Sequence, residues 1–252
     1  MTALGCVLDG RHAVAGITAL AVLGVDHPPR FRRHTTIYLA VLDQRARVRR
    51  PGVVTWVATP YGTVTQVHDL RVTAPPTTFL HLARLLSMEE LVMVGDAMTR
   101  RQDPPTTLEL ITAHVDRSPR CVGLRAAREA LLHIRPGTDS VPETQLRRLI
   151  LKAGLPEPAV NHPALATDGQ YLARPDLSYP ELKIAIEYLG DVHRTDPRTW
   201  RTDIERHQRL RDAGWIVLEA SADTVADPAT FLHRLRRAVS ACRRAVSARS
   251  SH

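Results

Sequence analysis

The apolar positions of this chain follow two rhythms, dense short runs and stripes at helical spacing, and their succession divides it. An alanine- and glycine-rich run over residues 10–24 predicts a buried helix, and strands are predicted over 36–42, 53–58 and 70–72, separated by Pro51-Gly52 and Tyr61-Gly62. Helices then dominate: 77–86 behind Pro75-Pro76, 88–101 capped by Ser87, 108–115 and 122–133. Arg135-Pro136-Gly137-Thr138 is the clearest break, and the domain boundary is placed there.

Beyond it the pattern becomes helix, three strands, helix, strand, helix. Leu146, Leu149, Ile150 and Ala153 form one apolar stripe of a helix over 140–153, which Gly154 ends. Asp168-Gly169 reads as a hairpin turn between strands 160–166 and 171–179, and Pro180-Glu181 as a second turn into strand 182–189. A helix begins at Asp196-Pro197 and stops at Gly214, with Trp200 and Ile204 marking its packed side. A buried strand over 215–220 and a basic amphipathic helix over 228–245 follow. The fold class is therefore α/β in the broad sense (α+β): a mixed helix and strand domain over 1–135, then a second domain over 139–246.

Composition narrows the partners. The 252 residues are 44% hydrophobic, enough for a core, and carry a formal charge of +8 that is almost all arginine, since Lys152 and Lys183 are the only lysines. A GC-rich genome and a phosphate-binding surface both produce that bias. Residues 1–138 hold 17 basic and 11 acidic side chains (+6), against 17 and 15 (+2) in 139–252. Arg30, Arg32, Arg33, Arg45, Arg47, Arg49 and Arg50 flank the strand at 36–42, forming either a solvated hairpin or a phosphate-gripping ribbon. Cys6, Cys121 and Cys242 give neither a disulfide framework nor zinc spacing, which fits a reducing cytoplasm. The longest apolar run, 13–25, is too short to span a bilayer and follows Asp9 rather than a basic segment, so neither export nor a membrane partner is expected.

The candidate chemistry is carboxylate chemistry. If the second turn is centred between Pro180 and Glu181, residues whose numbers sum to 361 face each other, and Asp176 and Glu187 become diagonal neighbours about 7–8 Å apart. Glu143 projects from the first turn of a helix that packs on this sheet. Three acids around one point repel unless neutralised, and a hard divalent ion, Mg²⁺ or Mn²⁺, is the expected cofactor, with Glu143, Asp176 and Glu187 as its ligands. Such a site suits phosphodiester hydrolysis. Arg174, Arg194, Arg201, Arg206 and Arg209 are the candidate phosphate contacts, and His193, just past the strand, the candidate proton carrier. Each acid also has a plain structural reading: Ser140-Val-Pro-Glu143 is a capping box, and Asp176 can pair with Arg174 or Arg194.

Pro175-Asp176, eleven residues to Glu187 and Glu143 on a preceding helix resemble the PD-(D/E)xK nuclease superfamily. Glu187-Tyr188-Leu189-Gly190, His193, Asp203, Arg206, Leu210 and Gly214-Trp215 look like its branch related to very-short-patch-repair endonucleases. The resemblance covers about residues 140–221 and implies an αβββαβ restriction-endonuclease-like domain that cuts DNA. Leu189 stands where the superfamily places lysine, and an apolar side chain stabilises no oxyanion. Residues 7–24, 70–84 and 88–101 resemble the region behind the winged helix of AbiEi-type antitoxins of type IV toxin-antitoxin systems, which implies a cognate toxin as a second partner. Two functions follow: a metal-dependent endonuclease acting in defence or repair, or a DNA-binding or antitoxin-like regulator without chemistry.

Overall fold

The computed structural model describes residues 10–58, 62–190 and 197–250, the side chains of 197–203, 246 and 248–250 excepted. The chain is mixed α+β and divides into two compact units, Met1–Pro136 and Gly137–His252. Among the described residues no helix is long and apolar enough to cross a membrane.

The first unit is built on strands β1 (His12–Val14), β2 (Ile37–Val41), β3 (Val53–Val57), β4 (Val64–Val67) and β5 (Leu70–Thr73), in the sheet order β3-β2-β1-β5-β4. The expected helix over 10–24 is thus a strand followed by helix α1 (Gly16–Val22). The physical reason is position: β1 is the central strand, bonded to β2 and β5 and buried throughout, and a fully buried strand shows no alternation to separate it from a buried helix. Strand β4 was not anticipated; its turn is His68-Asp69, both residues at positive φ (44° and 62°), a primed two-residue turn without glycine. Helices α2 (Pro75–Leu82), α3 (Met88–Met98), α4 (Leu108–Arg117) and α5 (Leu124–Leu131) complete the unit. Phe79, Leu91, Met98, Ile111 and Ile134 lie in its core. The fully buried Asp96 accepts the backbone N–H of Arg135 at 2.8 Å and so anchors the unit's end.

The second unit opens with α6 (Val141–Lys152), capped by Ser140 with Pro142 in its first turn. The two long strands expected before Pro180 are four short ones: β6 (Ala159–Val160), β7 (Ala164–Leu165), β8 (Tyr171–Ala173) and β9 (Leu177–Tyr179). Asn161 at φ +45° and Pro163 break the first pair, and Pro175, which has no N–H for a ladder, breaks the second. Strand β10 (Ile184–Tyr188), helix α7 (Pro197–Asp212), strand β11 (Ile216–Ala220) and helices α8 (Ala222–Ala226) and α9 (Ala229–Ser250) follow.

The sheet order is β11-β10-β9-β6, with β10 and β11 parallel and the other pairs antiparallel. On one face Ile184, Ile186, Leu177 and Leu218 pack against Leu146 and Ile150 of α6 and Phe231, Leu235 and Val239 of α9. On the other, Ala185 packs with Leu210 of α7, Trp215 and the β7–β8 pair. Alternation along β10 therefore sends Ile186 to the α6–α9 layer and Glu187 toward α7.

Gly123, just before α5, sits at φ +90°, and an added Cβ would meet the backbone of Ala83 and Arg84 at 2.9 Å. Gly154 shares the left-handed conformation (φ +73°) with open space around it. We expect Gly123→Ala to cost about 2 kcal/mol or more in urea unfolding, against about 1 for Gly154→Ala, because only the first adds a backbone clash to the φ strain.

Candidate functional site

The loop after β9 decides how the acids meet. Pro180–Leu182 is a 3₁₀ turn closed by Lys183 at φ +49°, longer than the expected two-residue turn. The observed register pairs Ile184 with Tyr179 and Ile186 with Leu177, so facing residues sum to 363 rather than 361. A shift of two preserves the face of every side chain. Continuing that register by one residue sets Asp176 directly opposite Glu187 rather than diagonal to it. The β6 register, continued likewise, sets Asn161 opposite Asp176, and Asn161 N–H donates to the Asp176 carbonyl at 2.9 Å. Glu219 pairs with Glu187 across β10–β11. The row Glu219, Glu187, Asp176, Asn161 thus crosses the sheet at one end.

Glu143 approaches that row from the first turn of α6. Only 4% exposed, it accepts Asp139 N–H at 2.9 Å and Ser140 Oγ–H at 2.8 Å, and Asn161 Nδ2–H at 2.9 Å. Ser140 Oγ in turn accepts Glu143 N–H at 3.4 Å, so the carboxylate serves in the helix cap. Burial raises its pKa to about 7, the neighbouring Asp176 charge adds to the rise, and the three hydrogen bonds oppose it. Arg147, one turn further on, is fully buried and donates from Nη1 to Glu157 at 2.8 Å. Asp176 Oδ2 accepts the backbone N–H of Tyr188 at 2.7 Å, which ties the Pro175-Asp176 loop to the end of β10.

Glu187 is held differently. Its carboxylate, 2% exposed, receives Arg206 Nη2 at 3.3 Å, with His207 Nε2 at 4.0 Å. His207 Nδ1 lies 3.3 Å from Glu219 Oε1, so a buried histidine sits between two acids of the row. Among the described residues no group of three His, Cys, Asp or Glu converges closely enough to hold a metal ion. The three acids expected around one point are thus not gathered among the described residues: the Asp176 charge acts on Glu143, while Glu187, opposite Asp176, is ion-paired to Arg206 of α7.

The candidate arginines separate in the same way. Arg174 Nη1 donates to the Asn161 carbonyl at 2.7 Å; Arg206 binds Glu187, and Arg209 is exposed on α7. His193 and Arg194 lie outside the described residues, as does the side chain of Arg201. Ile204, expected on the packed side of α7, is 46% exposed; the packed positions are His207 and Leu210. Leu189 is 39% exposed, and its N–H bonds the Ala220 carbonyl at 2.7 Å. Asn161 and His207 were missed in the sequence. His207 stands three residues before the buried Leu210, a helical spacing that marks the packed face; Asn161 carried no comparable signal.

No family model matches the chain, and no solved structure matches it. It is similar to two uncharacterized proteins of Mycobacterium tuberculosis, one from strain CDC 1551 / Oshkosh and one from strain ATCC 25618 / H37Rv. Each is 29% identical over 234 residues, covering 92% of this chain and 83% of the relative.

The Glu143 pKa generates a pH prediction. The folded state holds a proton on this group between the ordinary 4.5 and about 7, so the stability it contributes is fully present below 4.5 and lost as pH rises through 7. Melted in chelator at about pH 5 and about pH 8, the wild type should lose more stability over that interval than Glu143→Gln, by a few kcal/mol at most. Parallel pH curves would show that Glu143 is charged throughout.

Proposed function

We propose that residues 139–246 form a metal-dependent endonuclease domain of the PD-(D/E)xK type, hydrolysing phosphodiester bonds in DNA. The observation that carries this reading is the Glu143–Asp176 pair: a buried carboxylate set beside another acid, so that each disfavours the other's charge. The donor set suits Mg²⁺ or Mn²⁺, because Mg²⁺ keeps several waters and is commonly held by one or two carboxylates together with substrate phosphates rather than by a closed protein cage. Glu143 and Asp176 would hold it, and Glu187, expected as the third ligand, would join them only by exchanging its ion pair with Arg206 for the metal. When bound, such an ion supplies a more acidic water and neutralises charge on the phosphoryl oxygens.

The remaining residues have roles that follow from their contacts. Asn161 orients the Glu143 carboxylate through Nδ2 and fixes the Asp176 backbone through its own N–H. Arg206 balances the Glu187 charge from the partly exposed face of α7, where it also meets an approaching phosphate. His207, buried between Glu187 and Glu219, sets its Nδ1 3.3 Å from Glu219 Oε1. His193 remains the candidate proton carrier from sequence.

A second reading is favoured by the Glu187–Arg206 ion pair and by the apolar Leu189: a regulator that holds DNA, or a cognate toxin, without cleaving. In that reading the likeness of residues 7–101 to AbiEi-type antitoxins supplies the context, and the acids serve only to close α6 onto the sheet.

The deciding experiment is nicking and cleavage of plasmid, single-stranded DNA and RNA with Mn²⁺. The nuclease reading predicts cleavage that Glu143→Gln, Asp176→Asn and Glu187→Ala each reduce by about 100-fold or more while DNA retention persists. Retention without cleavage, indifferent to Glu143→Gln and Asp176→Asn, supports the regulator.

A further inference from the structure

Helix α9 carries six arginines and one histidine and no acid along its 22 residues. A solvated helix of this length ordinarily interleaves acids at spacings of three and four, which relieve the repulsion among its basic groups. Here the apolar stripe Phe231, Leu235, Val239 faces the core, and the basic groups gather on what remains. Arg236 donates from Nη2 to the Ala153 carbonyl at 3.0 Å, and Arg243 lies near Tyr179, whose pKa its charge lowers against the larger upward effect of burial. Arg234, Arg237 and Arg244 are exposed and, among the described residues, make no hydrogen bond or ion pair.

These three arginines and His233 line an open groove of about 610 Å³ whose floor is Ile216 and Leu218 of the edge strand β11. Among the described residues no acid lines it: Glu219, the acid of β11, points to the opposite face, toward His207 and Arg211. Ile216 is 38% exposed, so the floor is partly apolar while the wall is cationic.

We propose that this groove binds the phosphodiester backbone of a nucleic acid, as a contact surface separate from the carboxylate site. Guanidinium forks match phosphate oxygens bidentately, and the rise from Arg234 to Arg244 is about 15 Å of helix. That length spans several successive phosphates, which follow one another at about 3.4 Å of axis per strand. The apolar floor suits the sugar edge of the same strand. The groove opens on the α6–α9 face of the sheet, whereas Glu187 and His207 occupy the α7 face, so the inference does not rest on the nuclease reading.

The test is fluorescence anisotropy of the full chain, in chelator, with labelled duplex DNA, single-stranded DNA and single-stranded RNA as separate probes over a salt series. Replacing Arg234, Arg237 and Arg244 together by Gln should weaken binding at low salt by about tenfold or more. It should also make the slope of log affinity against log salt shallower by about two to three, near 0.9 per lost phosphate contact. The triple Lys variant, which keeps the charge, should retain the slope. The probe bound most tightly identifies the strand type. The proposal is overturned if the Gln variant keeps the wild-type slope with all three probes. It is overturned equally if poly-glutamate binds the groove with the same sensitivity while no nucleic acid does, which would make the surface an acidic-protein site.

Discussion

The architecture of the second unit turns on keeping the Glu143 carboxylate out of water. Burying an acid is costly unless donors or a cation compensate, and here three donors converge on it from two sides: Asp139 and Ser140 at the start of α6, and Asn161 at the end of β6. The same Asn161 bonds the backbone of Asp176, whose side chain bonds the backbone of Tyr188. One chain of hydrogen bonds therefore links the cap of a helix to the far ends of three strands. The left-handed turn at Asn161 and the ladder break at Pro175 become intelligible as the bends that let these groups meet.

Burial first, and the Asp176 charge second, raise the Glu143 pKa to about 7 despite its three hydrogen bonds. A purely structural helix cap has no use for a neighbour that opposes its charge. Glu187 is in a contrasting state, its carboxylate balanced by Arg206 on α7. The row thus has an acidic half beside α6 and an ion-paired half beside α7. The two proposed activities differ only in whether a cation completes the first.

Much of this was legible in the sequence wherever one face of an element is wet. The stripe of Leu146 and Ile150, the Ser140 cap and the alternation of Ile184 and Ile186 with Glu187 all read correctly, because burial imposed a period. Glu187 stood out for the same reason: an acid in an apolar strand needs a partner. The central strand β1 was read as helix because it is buried on both faces, and β4 was missed because it is short and exposed and its turn uses His68-Asp69. The register came out two residues off because a 3₁₀ turn ending in a left-handed lysine has no composition signature. Asn161 and His207 were missed because each matters through partners far away in sequence, Asn161 through Glu143 and Asp176, His207 through Glu187 and Glu219, and only His207 carried a local sign, its spacing to Leu210.

The central claim is that Glu143 and Asp176 form a cation-ready pair whose shared charge a divalent ion relieves. Calorimetric titration of Mn²⁺ at about pH 7, repeated in buffers of different ionisation enthalpy, reads it directly. Binding should be accompanied by proton release, because the ion displaces the proton that Glu143 retains at that pH, and both heat and release should vanish in Glu143→Gln. Mn²⁺ that fails to bind, or binds Glu143→Gln as well as the wild type, would contradict it.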